Sequence, residues 1–342
     1  MSKPKISVIT TTWNRAKYLP RVHAGLMSQG YMDFEWIVAN DGSTDDTSEL
    51  INKIVVDTPF DVILITASAH VGKARMDNEA IAAARGEFIV WCDSDDYFLS
   101  NALEVLIATW ETIPEAEREQ FIGITALCES TEQILNEEIS KMKTFDSKLG
   151  DLEYLHYMTE DGAFFLQAKI LKQHHFPEVD LVVPESVVWS ALGDWKVRVL
   201  TEVIQKKEYK SENSISFTNS MKYNRGRAYA SAIAIRNHLL RKRRPSLIVW
   251  RTINYVRYCI HGDIKIHTIF ELWQNNTSRS LLVLCAMPAL LLAIKDRWQG
   301  KVVKSHFEFE FSADRAVIET YKFNGVASIN PIGSPSALTG VQ

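Results

Sequence analysis

The sequence predicts an α/β fold with a mostly parallel central sheet, helices on both of its faces, and a helical annex towards the C-terminus. Three observations carry this expectation. Short β-branched runs alternate with helical periodicity from residue 6 to residue 92, the pattern of strands joined by crossover helices. Each of these runs ends in a polar cluster, as strands do when their carboxyl ends border a binding crevice. After residue 220 long helical patterns replace the strands, and the sign of the charge reverses.

Residues 6–12 (Ile-Ser-Val-Ile-Thr-Thr-Thr) read as the first strand, and Asn14 is placed to cap a helix running to residue 29. Residues 34–40 give the next strand and 45–56 the next helix. The cycle repeats with a strand at 62–66, a helix of small residues at 72–85 and a buried strand at 88–92. Residues 121–128 form a further strand, and the charged segment 130–150 is expected to make a surface excursion. Strands follow at 163–168 and 196–201, with a helix at 184–192 whose Pro184 suits a first turn. The chain thus divides into a main domain over 1–219, an annex over 220–304 and an extension over 305–342. In the extension, residues 325–342 are rich in Ser, Gly, Pro and Asn and are expected to be mobile.

With 342 residues, 46% hydrophobic and 23% charged, the chain can bury one large core and a smaller annex. Its four cysteines, Cys92, Cys128, Cys259 and Cys285, show no ligand spacing, which argues against a zinc site or a disulfide framework and for a reducing cytosol. Lys3 and Lys5 lead straight into the apolar residues 6–9, which leaves no room for a signal peptide. The expected location is therefore cytoplasmic.

The strand exits carry the candidate chemistry. Asp93-Ser94-Asp95-Asp96 brings several carboxylates out of a buried strand at one place. A divalent ion such as Mn2+ or Mg2+ would relieve their repulsion and bridge to substrate phosphates; a solvated turn before the next helix explains the cluster equally well. Asn40-Asp41-Gly42-Ser43-Thr44-Asp45 puts a carboxylate where it can accept from a nucleobase N–H, and Trp13 offers a face for stacking. His70-Val71-Gly72-Lys73 opens a helix, where unpaired amides and the Lys73 charge suit an anion. Taken singly, each of these is also an ordinary turn or helix start.

Taken together and in this order, they resemble glycosyltransferase family 2. The resembling stretches are Ser7-Val8-Ile9-Thr10-Thr11-Thr12-Trp13-Asn14-Arg15, Val38-Ala39-Asn40-Asp41-Gly42-Ser43-Thr44-Asp45-Asp46-Thr47, Gly72-Lys73-Ala74-Arg75 with Asn78, Ala84-Arg85-Gly86-Glu87 and Cys92-Asp93-Ser94-Asp95-Asp96. The resemblance implies a GT-A fold with residues 1–219 as its catalytic domain. It implies that Thr11, Trp13 and Asp41 surround the uracil of a UDP-sugar, that Lys73 contacts the donor, and that Asp93 lies on the ribose side. Asp95, with Asp93, becomes the metal site of a DxD motif for Mn2+ or Mg2+. The family's acidic pair at a helix start corresponds to Pro184-Glu185-Ser186-Val187-Val188-Trp189, where the second acid is serine. A bacterial surface-polysaccharide subgroup is similar in this single-glutamate form. Glu185 is therefore the implied general base, with Asp161 as a secondary carboxylate near the sugar. The bland alternative for Glu185 is an acid that suits the start of a helix.

The rear of the chain points to a different partner. Residues 220–304 carry sixteen basic and three acidic residues, a balance of +13 against −17 for the remainder. Residues 281–294 are almost wholly apolar but contain Pro288, and the run is short for a bilayer span. Flanked by Arg279, Lys295, Arg297, Trp298 and Lys301, it suits a segment lying on an anionic membrane surface, at the inner face of the cell membrane. A core helix with a solvated basic face is the competing explanation. No nucleic-acid-binding module is present, so no nucleic acid is expected as a partner.

Together these readings give an inverting, metal-dependent transferase that moves a sugar to a glycan or polyprenyl-linked glycan acceptor. The rival is a membrane-attached scaffold that binds nucleotide without turnover, which Ser186 keeps open. A dinucleotide oxidoreductase would need a GxGxxG turn where Thr10-Thr11-Thr12-Trp13-Asn14-Arg15 stands.

Overall fold

In the computed structural model, residues 3–129, 141–152, 162–178, 180, 182–207, 223–240, 245–265, 269, 279–299, 318–323 and 329–332 are described. Strands β1 (Ile6–Thr12), β2 (Phe34–Asn40), β3 (Asp61–Ala67) and β4 (Phe88–Trp91) form the parallel heart of one sheet in the order β3-β2-β1-β4. Their register runs Ile6 to Phe34 and Thr12 to Asn40, so the ends of β1 and β2 lie side by side. β-branched residues buried on both faces make these strands cheap to form and costly to expose.

Because successive side chains alternate, each strand supplies two cores. Val8, Trp36, Val38, Val62 and Val90 pack under α1 (Leu19–Met27), α2 (Thr47–Ile54) and α4 (Ala102–Glu111). Ile9, Ile37, Ala39, Ile63 and Ile89 face α3 (Lys73–Ala83), α5 (Ala168–Leu171) and α6 (Ser186–Ala191). Helices therefore cover both faces, as expected.

Beyond β4 the sheet changes character. A short β5 (Tyr97–Phe98), then β6 (Phe121–Glu129), β7 (Thr144–Lys148), β8 (Ala163–Gln167) and β9 (Lys196–Lys206) complete this side. β8 lies antiparallel between β4 and β6, whereas β6 and β9 are parallel. The mostly parallel expectation thus holds for β3-β2-β1-β4 and gives way to a mixed sheet, because β8 enters from the opposite end. Part of the expected 130–150 excursion is β7, paired with β9. Its side chains are only partly covered, so its composition resembles that of a loop.

Two other expectations change. Asn14 does not cap a helix: its φ is 53°, and its side chain accepts from the Thr44 amide at 2.8 Å. The helix starts at Leu19 because Pro20 occupies its first turn. At the other end of the chain, β10 (Ile318–Phe323) pairs antiparallel with β3, and β11 (Ile329–Ile332) pairs with β10. The sheet thereby draws strands from the extension as well as from residues 1–219, and β10 covers the edge that β3 would leave bare.

The annex consists of α7 (Asn224–Leu240), α8 (Pro245–His261) and α9 (Arg279–Trp298), with a core that includes Ala228, Ile235, Tyr255, Cys259, Leu282 and Ala289. Among the described residues, no helix is long and apolar enough to cross a membrane.

At the amino ends of the strands, Glu35 is fully buried and accepts from Ser7 Oγ at 2.6 Å and from the Arg85 amide at 2.7 Å. The Arg85 guanidinium donates to Glu35 at 2.6 Å and to Asp61 at 2.7 Å. Gly86 lies so close to β1 that an added Cβ would sit 2.5 Å from the Ser7 nitrogen. The Ala84-Arg85-Gly86-Glu87 stretch therefore ties strands together far from the crevice. Arg85→Met would strand the buried Glu35 charge and is expected to cost about 3 kcal/mol in urea denaturation, with Glu35→Gln/Arg85→Met recovering part of the loss.

Candidate active site

The exits of β1 and β2 are stitched together. The Asn14 amide donates to Ser43 Oγ at 2.9 Å while its side chain holds the 44–45 turn. Gly42 has φ 60° and passes so close to Ala69 that a Cβ there would lie 2.2 Å from its carbonyl carbon. This close approach brings the 69–72 loop onto Asp41. Both Asp41 oxygens are engaged: Oδ1 accepts from the Val71 amide at 2.6 Å, and Oδ2 from His70 Nδ1 at 2.8 Å and the Gly72 amide at 3.0 Å. The His70 ring in turn lies flat on Trp13, with centroids 4.0 Å apart and planes 8° from parallel.

One turn further on, Lys73 is the junction of the crevice. Its ammonium lies 2.7 Å from Glu185 Oε1, 2.9 Å from Asp77 Oδ2 and 3.5 Å from Asp93 Oδ1. Burial works against the charge, but the carboxylates of Asp77, Glu185 and Asp93 outweigh it and hold Lys73 well above the usual lysine range. Asp93 is driven upward by burial, yet Lys73 and Lys207 bring it below the usual carboxylate value. Asp77 is fully enclosed on α3, and burial pushes it up to about 6 even against Lys73. Thr11 Oγ donates to Asp77, so the end of β1 is fastened to the same junction.

The acidic cluster after β4 divides its work. Asp93 faces Lys73, whereas Asp95 Oδ2 accepts from Arg15 at 2.7 Å and its backbone carbonyl from Arg21 at 3.1 Å. Asp96 turns inward to Gln205 Nε2 at 3.2 Å. The repulsion expected from this cluster is therefore met by Arg15 and Lys73. Two carboxylates at one strand exit remain a hard donor pair suited to Mg2+ or Mn2+. Among the described residues, no group of three or more His, Cys, Asp or Glu is arranged to hold an ion, so phosphate and water would complete any coordination.

Glu185 sits at the N-cap of α6 without capping it; its side chain leaves the helix for Lys73. Beside it opens a narrow cleft lined by Trp91, Asp93, Phe164, Glu185, Trp189 and Lys207, among others. Trp189 stacks on Phe164 at 4.8 Å and meets Trp91 edge-on at 5.7 Å. Apolar ring faces rimmed by charged groups suit a sugar, which has both hydroxyl edges and C–H faces.

Residues 7–170 match the family model described as Glycosyl transferase family 2. This segment belongs to that family. The family 2 segment contains every strand exit described above, while Glu185 and α6 follow it. Among relatives, the chain is 35% identical over 104 residues to a chondroitin synthase of Pasteurella multocida, covering 30% of this chain and 11% of that protein. It is 33% identical over 104 residues to a GalNAc(5)-diNAcBac-PP-undecaprenol beta-1,3-glucosyltransferase of Campylobacter jejuni, covering 30% of this chain and 34% of that protein. The alignments thus span only a minor part of either relative. The fold is similar to that of S. aureus TarS 1-349 in complex with UDP-GlcNAc, with a TM-score of 0.51, 16% identity, and coverage of 87% of this chain and 84% of that one. The GT-A architecture follows from this likeness.

Of the residues singled out in the sequence, Lys73, Asp93 and Glu185 come together, Trp13 and Asp41 meet at His70, and Asp95 is held by Arg15. Thr11 is turned to Asp77. Asp161 lies outside the described residues. Sequence reasoning missed Asp77 and the roles of His70 and Arg15. The four-residue spacing of Lys73 and Asp77 on a helix was the available signal for the first.

Because Asp77 titrates higher folded than unfolded, its protonation favours the folded state. The cost of its charge is present above pH 6 and is relieved as pH falls towards 4. Relative to Asp77→Asn, the wild type should therefore gain about 1.4 kcal/mol between pH 7.5 and pH 5 in urea denaturation. An unchanged gap would mean that Lys73 keeps Asp77 ionised.

Proposed function

We propose that the chain is an inverting glycosyltransferase that moves a sugar from a UDP-sugar to a hydroxyl of a glycan or polyprenyl-linked glycan, in surface polysaccharide synthesis at the inner face of the cell membrane. The observation that carries the reading is the Lys73 junction, which places an ammonium and the Glu185 carboxylate 2.7 Å apart at the mouth of an aromatic pocket. Support for the donor comes from the neighbour solved with UDP-GlcNAc, and for a lipid-linked acceptor from the undecaprenol-linked substrate in the relative's name.

In this reading a donor diphosphate draws Lys73 away from Glu185. Lys73 then neutralises the charge that grows as the anomeric C–O bond breaks. Glu185, released, accepts the proton of the acceptor hydroxyl, whose oxygen attacks the anomeric carbon from the side opposite the leaving diphosphate. A single displacement inverts that centre. Asp95 with Asp93 would hold Mn2+ or Mg2+, which supplies further positive charge to the diphosphate. At the other end, the base would take the place now held by His70, stacking on Trp13 and donating to Asp41.

The test is calorimetric titration of UDP with and without Mn2+ on the wild type, Asp95→Ala and Asp41→Ala. Metal-dependent binding that disappears in Asp95→Ala and weakens in Asp41→Ala is expected; absence of UDP binding under every condition would sink the donor assignment. Glu185→Gln should keep donor binding and lose roughly 100- to 10,000-fold in turnover, whereas a non-catalytic scaffold predicts no turnover in either form. His70→Ala is expected to bind UDP severalfold more tightly, since the base no longer has an imidazole to displace. Weaker binding would make His70 a partner of the base instead.

A further inference from the structure

Helix α9 carries two apolar faces, and only one of them is used. Leu282, Cys285, Ala289 and Ala293 are buried in the annex, and Asp296 continues this side, gripped by Arg257 at 2.5 and 2.6 Å and by His261 at 3.1 Å. The opposite side presents Val283, Leu284, Met287, Leu291, Ile294 and Trp298, each between 55% and 89% exposed. Their spacing of one, three, four, three and four residues keeps them on one stripe of the helix. On α8, Trp250 is also more than half exposed. An exposed apolar stripe of this extent marks an interaction surface.

Charge decides the occupant. The sequences of α7 and α8 contain no acidic residue, and the one acid of α9, Asp296, is buried against Arg257. Lys295 and Arg297 are exposed beside the end of the stripe, next to Trp298. In the sequence, Arg241-Lys242-Arg243-Arg244 immediately precedes α8. A second copy of the same face would bring like charges together, whereas an anionic lipid surface complements both the apolar stripe and its basic border. The ion pair at Asp296 ties α9 to α8, so the helix is held along its length rather than released to insert end-on. Trp298 sits at the rim of the stripe, as indole rings do at the boundary between headgroups and acyl chains.

We infer that the outer face of α9, bordered by Lys295 and Arg297, is a docking surface that seats the protein flat on an anionic bilayer. This deepens the membrane reading given above and rests on it; its evidence, however, is independent of the donor site.

The experiment is co-sedimentation of the full chain with vesicles of phosphatidylcholine alone or with about 30% phosphatidylglycerol, comparing the wild type with Leu284→Glu/Leu291→Glu. These positions are already exposed, so the double variant should fold; an unchanged melting temperature checks this. The expected result is partition to the anionic vesicles that falls at least about tenfold in the variant and severalfold on raising the salt to about 0.5 M. The inference is overturned if the wild type ignores anionic vesicles or the variant binds as well as the wild type. It is also overturned if analytical ultracentrifugation without lipid finds a dimer that the variant dissolves, because a second copy is then the occupant. UDP titration on the same preparations keeps the two readings apart: vesicle binding without UDP binding defeats the donor assignment and leaves the docking surface standing.

Discussion

The crevice depends on one half-buried cation, Lys73. Asp77 and Asp93 approach Lys73 from α3 and from the turn after β4, and Glu185 reaches it from the start of α6. Three carboxylates gathered around one point, with Asp77 fully buried, would repel one another without a positive charge between them. The ammonium turns that repulsion into a clasp that joins α6 to the parallel heart of the sheet. In the proposed reaction the clasp would also open: a donor phosphate would compete for the lysine that holds Glu185, and the base would be freed by the substrate whose chemistry it serves.

A similar economy appears at the other exits. Arg15 covers Asp95, and His70 covers both Asp41 and the face of Trp13. In each case a side chain of the protein adds a partner to a carboxylate at a strand exit, which lowers the cost of holding that charge in the crevice. Binding then exchanges one set of partners for another. The strength of a ligand contact is therefore a difference between two occupants and cannot be judged from the vacant residue alone.

The annex obeys a different constraint. Among its described residues the buried acid is Asp296, which locks α8 to α9 and leaves the outer side of α9 apolar with Lys295 and Arg297 exposed beside it. A helix with apolar residues on both sides satisfies one side within the fold and leaves the other for a partner. That division was invisible in the residue count, where Asp296 looked like one of three acids softening a basic segment.

By itself, the sequence determined the strands at 6–12 and 34–40, the strand read at 88–92 and found at Phe88–Trp91, the helix on α3, and the convergence of polar exits, because these follow from local β-branching, periodicity and the rule that crevices form at carboxyl ends. It also pointed to Lys73, Asp93 and Glu185 as members of one crevice, through their place in recognisable stretches. Only the tertiary structure decided which acid meets which cation. Arg15 and Asp95 are eighty residues apart, Lys73 and Glu185 more than a hundred, and nothing local encodes such pairs. The same holds for β10, whose partner β3 lies some 250 residues away and whose own composition gives no sign of it, and for α9, where a run apolar on all sides acquires an inner and an outer face only once α8 has covered one of them. Periodicity is written in neighbours along the chain; charge pairing and edge protection are written in neighbours through space.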